Sequence, residues 1–269
     1  MARPAHKILS AFGANGDPVP LAGGRSLAWR VGDLVFKPAD LAPDALAWQV
    51  DVLPTVHAPD VRLSIPQPAK GGELVVDGWT AWSYLPGEHR AGRWTDIIDV
   101  GGRFHEALAG LARPAFLATR TDPWAIGDRV AWAEAPIDPY RGVPHVARLA
   151  ALRRRTEAPS QLIHGDLTDN VLFADDLPPA VIDLSLYWRP AAFANAVVLA
   201  DALVWEGADE SLLESVGDVD DIDQMLVRAL IFRIVAGVEG RLEGDHAAIE
   251  RSYQPAVDIA CHWIDTGRA

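Results

Sequence analysis

The chain has 269 residues, 49% of them hydrophobic and 23% charged, enough to bury a substantial core as one large domain or two lobes. Acidic residues outnumber basic ones 37 to 24, for a formal charge of −13, which argues against a nucleic-acid partner and favours a cationic or neutral one. The single cysteine, Cys261, forbids an intrachain disulfide, and no apolar run approaches the ~18 residues of a membrane span, so a cytoplasmic protein without a membrane partner is expected.

Two apolar runs, 27–31 and 34–37, flank Gly32-Asp33 and predict a β-hairpin that ends at Lys37. Just before it, 20–26 carries Gly23, Gly24 and Ser26, and glycines there allow backbone to approach phosphates closely. Taken alone, Gly-Gly also reads as a turn and a strand-end lysine as a solvated one. A helix over 44–56 has Leu46, Val50 and Leu53 at helical spacing and carries Gln49 and Asp51. Strands are expected at 73–76 and 79–85 around Asp77-Gly78, with Trp82 and Tyr84 available for strand packing.

Past Pro86 the period turns helical: Ile97, Val100, Phe104, Leu108 and Leu111 predict a buried helix on which His105 is a surface or packing residue. The proline-rich stretch 113–142 reads as a connector. A helix over 145–155 follows, its Arg153-Arg154-Arg155 run complementing the negative end of a helix dipole.

The stretch 161–190, QLIHGDLTDNVLFADDLPPAVIDLSLYWRP, holds the chemistry. Val171-Leu172-Phe173 and Ala180-Val181-Ile182 flank a turn-rich 175–179 and predict a hairpin. Paired strands lie about 4.8 Å apart, so Asn170 and Asp183 would share one end of it and one cation. Phosphoryl transfer needs a carboxylate to orient and deprotonate a hydroxyl, plus oxygens that hold Mg²⁺ against nucleotide phosphates. Asp166, Asn170 and Asp183 supply that inventory, while Asp175 and Asp176 read as turn residues. Further on, Asp218, Asp220, Asp221 and Asp223 precede a helix with Leu226, Leu230, Ile234 and Val238 on one face. They read either as acids opposing the helix dipole or as a pocket wall. A last helix is expected over 249–264, bent or started at Pro255.

HGDLTDNVLF followed by VIDLS resembles the catalytic loop and metal-binding strand of the aminoglycoside phosphotransferase family, the small-molecule branch of the protein-kinase-like fold. The resemblance implies an α+β, two-lobed fold, with a nucleotide-binding lobe 1–85 and a catalytic, acceptor-binding lobe 86–269. It implies Asp166 as the catalytic residue, Asn170 and Asp183 as metal ligands, and ATP with Mg²⁺ as cofactors. His164 would help hold the loop. Gly23, Gly24 and Ser26 would cover the nucleotide, Lys37 would reach its phosphates, and Ser83 and Leu85 of WSYLPGE would offer backbone groups to adenine. Gln49 stands where kinase-like folds place a glutamate for the lysine, so a hydrogen bond would replace that ion pair. Asp201, the lone acid of the apolar helix 191–205, would bond the catalytic loop or line the acceptor pocket. The acceptor would be a hydroxyl of a small molecule. The Asp166–Asn170 interval is one residue shorter than the family's, and with Gln49 it leaves open a module that binds nucleotide without transfer.

Overall fold

The structure is a computed structural model that describes residues 3–21, 28–216, 219, 221–242 and 244–266. In chain order these form α1 (His6–Ala11), β1 (Val19–Pro20), β2 (Trp29–Val31), β3 (Leu34–Pro38), α2 (Pro43–Val52), β4 (Arg62–Leu63), β5 (Pro66–Gln67) and β6 (Trp79–Ser83). They continue with α3 (Trp94–Leu108), α4 (Pro123–Ala131), α5 (Val146–Leu152), β7 (Gln161–His164), β8 (Val171–Ala174), β9 (Leu177–Val181) and β10 (Leu186–Arg189). Helices α6 (Ala191–Trp205), α7 (Ser211–Ser215), α8 (Ile222–Glu239) and α9 (His246–Asp265) follow. Two compact units result, Met1–Arg90 with Asp169–Leu184, and Ala91–Thr168 with Ser185–Ala269.

In the first unit the described strands make a five-stranded sheet in the order β1-β2-β3-β6-β5. The Gly32-Asp33 turn joins β2 to β3 as the apolar runs predict, with Val31 opposite Leu34 and Gly32 at positive φ. Helix α1 covers this sheet through Ile8, Leu9 and Phe12, the Phe12 ring standing edge-on to Phe36 at 5.6 Å. Between Val76 and Trp79 only an isolated bridge forms, so the expected strand 73–76 is absent from the sheet. Asp77 and Gly78 both take positive φ, which closes a tight primed-type turn, and β5 takes the edge of β6 instead. Helix α2 gives way to a 3₁₀ turn at Leu53–Thr55, where Pro54 cannot continue the α-helical hydrogen bonding.

The same unit contains the hairpin β8–β9, with Val171 opposite Val181, and a parallel pairing of β9 with β4. Pro178 and Pro179, expected in the turn, lie inside β9 instead, and the turn narrows to Asp175-Asp176. Prolines donate no ladder bond, and the pairing is correspondingly irregular between Leu172 and Ala174. Arg62 secures the strand by donating from Nε to the Pro178 carbonyl at 2.7 Å.

The second unit is built on α6 and α8, both buried around most of their circumference and therefore central rather than amphipathic. Helix α4 crosses α8 at Gly127, where a Cβ would meet the Phe232 carbonyl oxygen at 2.7 Å. Its presence corrects the reading of 113–142 as a connector. Asp122 accepts from the Ala125 N–H at 3.0 Å and Pro123 occupies the first turn, a start signal visible in the residues themselves. Arg153 donates to the Val130 and Ala131 carbonyls, so it neutralises the end of α4 and not of its own helix, which stops at Leu152. Asp223 lies in the first turn of α8, as the dipole reading expects, and is buried against Arg154 at 2.8 Å, a pairing that the pocket-wall reading does not include. Asp218 and Asp220 lie outside the described residues. Among the described residues no helix is long and apolar enough to cross a membrane.

Candidate active site

The candidate residues fall in both units. In the first unit, β3 pairs with β6 so that Lys37 faces Thr80, and the lysine is buried. Its ammonium donates to Asp183 Oδ1, lies 4.0 Å from Asp40 and sits 4.7 Å from the centre of the Trp82 ring. Asp183 follows the end of β9 in the left-handed region, at φ 51°. Asn170 immediately precedes β8, and its carbonyl accepts from the Ile182 N–H at 3.0 Å. The hairpin register therefore brings Asn170 and Asp183 to one end, with Lys37 against the second of them. An amide oxygen and a carboxylate are hard ligands of the kind Mg²⁺ takes, so the donor set fits that ion.

Gln49 does not partner Lys37: it is buried, and its Oε1 has no hydrogen-bond partner among the described residues. A neutral amide competes poorly with two carboxylates for an ammonium, and the lysine has turned to Asp183 and Asp40. Burial pushes the Asp40 carboxyl up, while Lys37 pulls it back.

Farther along the sheet, Ser83 is fastened on both sides: its N–H donates to Ile65 C=O at 2.9 Å and its C=O accepts from Ser64 Oγ at 3.0 Å. Leu85, half-buried, leads into Pro86-Gly87. Trp82 is a packing residue whose Nε1 donates to Thr80 Oγ1 at 3.0 Å, and the Arg30 guanidinium stacks 3.7 Å from the Tyr84 ring. Gly23, Gly24 and Ser26 lie outside the described residues.

In the second unit, β7 pairs with β10 and delivers His164 to the start of the loop that carries Asp166. Gly165 is required there, because a Cβ would stand 2.6 Å from the Tyr187 ring. The Asp166 N–H donates to His164 Nδ1 at 3.2 Å, and the His164 N–H donates to His105 Nε2 at 3.1 Å. His105 is thus an acceptor inside the fold, which selects the packing alternative of its reading over the surface one. Burial, with His164 nearby, pushes its pKa down to about 3.

Asp166 Oδ1 accepts from Arg233 Nη2 at 2.6 Å, and the same guanidinium holds Asp201 through Nε at 2.7 Å and Nη2 at 2.5 Å. Asp201 also accepts from the Thr168 hydroxyl at 2.7 Å, so it bonds the loop that carries Asp166. Burial opposes the charge of Arg233, but the two carboxylates outweigh it and raise its pKa. Sequence reasoning missed Arg233, Thr168 and the role of His105. A signal existed for the first: an arginine inside the apolar run of α8 needs a buried acid, and α6 offers Asp201.

A model of a phosphotransferase enzyme family, APH, matches residues 17–193. Among solved structures, the chain is similar to spectinomycin phosphotransferase APH(9)-Ia in complex with ADP and spectinomycin, at TM-score 0.58 and 12% identity, over 94% of this chain and 95% of that one. It is also similar to the GDP complex of aminoglycoside 2′-phosphotransferase-IIIa, at 0.57 and 15% over 95% and 96%. A third is the Plasmodium vivax ethanolamine kinase Pv091845, at 0.53 and 12% over 94% and 83%. These likenesses show a shared fold, and the protein-kinase-like α+β architecture is the one expected. No curated protein sequence matches the chain.

Proposed function

The chain belongs to the phosphotransferase enzyme family, as a small-molecule kinase with an alcohol group as acceptor, and from that premise we propose that it moves the γ-phosphate of ATP to a hydroxyl of a sugar, aminoglycoside or amino alcohol. Asp166 orients the acceptor hydroxyl and takes its proton as the new O–P bond forms and ADP leaves. Asn170 and Asp183 hold Mg²⁺, which when bound neutralises charge on the phosphates. Lys37 reaches the phosphates, Gly23, Gly24 and Ser26 cover them, and backbone groups at Ser83 and Leu85 meet the adenine. The lobes are 1–85 for nucleotide and 86–269 for catalysis and acceptor.

The observation that carries this reading is the buried Lys37 held against Asp183 at the hairpin end that also bears Asn170. It sets a cation against one hard oxygen donor at the hairpin end that carries a second, the grouping a magnesium-bound polyphosphate needs. Solved structures of the fold contain ADP with spectinomycin in one case and GDP in another, which supports a nucleotide and a hydroxyl-bearing acceptor. The charge of −13 favours a cationic or neutral acceptor and no nucleic-acid partner, and the single cysteine suits a reducing cytoplasm.

The test is ADP release from Mg-ATP across a panel of sugars, aminoglycosides and amino alcohols. Acceptor-dependent turnover abolished by Asp166→Asn is expected, and its absence with every acceptor refutes transfer. The unsatisfied Gln49 Oε1, which leaves Lys37 without its helix partner, favours one second reading, a module that binds nucleotide without transfer. Thermal stabilisation by ATP without turnover would select it.

A further inference from the structure

One guanidinium and two carboxylates form a cluster that the roles above only half explain. Asp201 on α6 and Arg233 on α8 make a buried, two-bond pair, and the Thr168 hydroxyl adds a third bond to the same acid. That arrangement already satisfies Asp201. Yet Arg233 Nη2 also donates to Asp166 Oδ1, although the Asp166 side chain is 40% exposed and that of Arg233 only 5%. A pair serving the core alone has no need of a bond to a partly exposed loop carboxylate. The Trp124 ring lies 5.7 Å from the guanidinium carbon, and Phe232 borders it at 5.3 Å, so the cation is held from several sides.

We infer that Arg233 is a positioning residue for the transfer, fixing the Asp166 carboxylate so that its exposed part meets the acceptor hydroxyl. The inference rests on the reading of Asp166 as the residue that orients the acceptor. Asp166 and Thr168 are both tied to the Arg233–Asp201 hub, so the loop is pinned at two points two residues apart. A carboxylate bonded to a guanidinium is a weaker base but a better placed one. That suits phosphoryl transfer, in which alignment and charge lower the barrier more than proton abstraction does. Lysine cannot do the same work, because one ammonium does not present the planar fork that bridges Asp201 and Asp166.

Two variants test this. Arg233→Lys keeps a cation beside Asp201, and Arg233→Met with Asp201→Asn removes both buried charges together, covering the case in which lysine weakens the core. For each, melting temperature, affinity for Mg-AMP-PNP and steady-state ADP release from Mg-ATP with the acceptor panel are measured. Each folded variant is expected to bind Mg-AMP-PNP and keep its KM for ATP within about twofold, while kcat falls about 10- to 100-fold. A merely structural role predicts that kcat returns with stability. Lysine restoring both, or the folded double variant turning over at the wild-type rate, overturns the assignment of Arg233 alone. Wild-type protein that binds Mg-AMP-PNP but releases no ADP with any acceptor overturns the parent reading, and this one with it.

Discussion

Acidification should unfold this protein partly through one histidine. His105 is buried with Nε2 accepting from the His164 N–H at the start of the Asp166 loop, and its pKa is pushed down from 6.5 to about 3. In the unfolded chain it titrates near its ordinary value, so between those two limits the unfolded state binds a proton that the folded state refuses. The associated stability is complete above the unfolded pKa and is lost as pH falls from there toward the folded one. Linkage over that interval amounts to about 2 kcal/mol between pH 7 and pH 5, or a melting shift of ~4–8 °C for a protein of roughly this size. Other groups titrate in the same range, so the quantity to measure is the difference between wild type and His105→Gln, whose side-chain oxygen still accepts from the loop. Urea unfolding at both pH values is expected to show a wild-type loss exceeding that of the variant by about 2 kcal/mol. Parallel pH dependence in the two proteins would refute a neutral, buried His105.

Three further outcomes follow from particular contacts. Asp201→Ala leaves Arg233, 5% exposed, with the partly exposed Asp166 as its remaining carboxylate partner, and should cost up to about 3–5 kcal/mol in urea unfolding; a loss below about 1 kcal/mol would contradict that burial. Gly127→Ala places a Cβ 2.7 Å from the Phe232 carbonyl and 3.0 Å from the Ala236 nitrogen, backbone atoms that cannot swing aside. It should destabilise by about 1–3 kcal/mol, and an unchanged melting temperature would show that α4 and α8 do not cross there. Asp183→Ala removes the carboxylate held by Lys37, so ATP affinity measured by calorimetry should lose its dependence on Mg²⁺; a variant that still gains affinity from Mg²⁺ would place the metal elsewhere.

What the residues announced and what they concealed divide along a physical line. The β8–β9 hairpin was legible because alternation and turn chemistry act over a few residues, and the Gly32-Asp33 hairpin for the same reason. Helix α4 was also written locally, in Asp122-Pro123, but the prolines on either side of it masked the cap. The placement of Pro178 and Pro179 inside β9 was concealed, because proline at an irregular strand and proline in a turn look alike until the neighbouring strand is known. His105 is intermediate: it stands eight residues after Ile97 and four after Gly101, on the buried face of α3, so helical spacing alone argued against a surface position.

The Arg233 hub depends on pairing between α6, α8 and a loop 67 residues away from the arginine, which no local rule encodes. Its elements nevertheless carried half of the information. An acid alone in one apolar helix and a base alone in an apolar stretch of another cannot each be buried unpaired, since an isolated interior charge costs several kcal/mol. Each therefore implies a partner, but α8 buries Arg228 as well as Arg233, and only the packing of α6 on α8 chooses between them. The third member, Asp166, was found for its chemistry and not for its contacts. The bond from Arg233 joins a residue chosen by reaction logic to a pair forced by burial, so that one guanidinium holds both the loop carboxylate and the helical core.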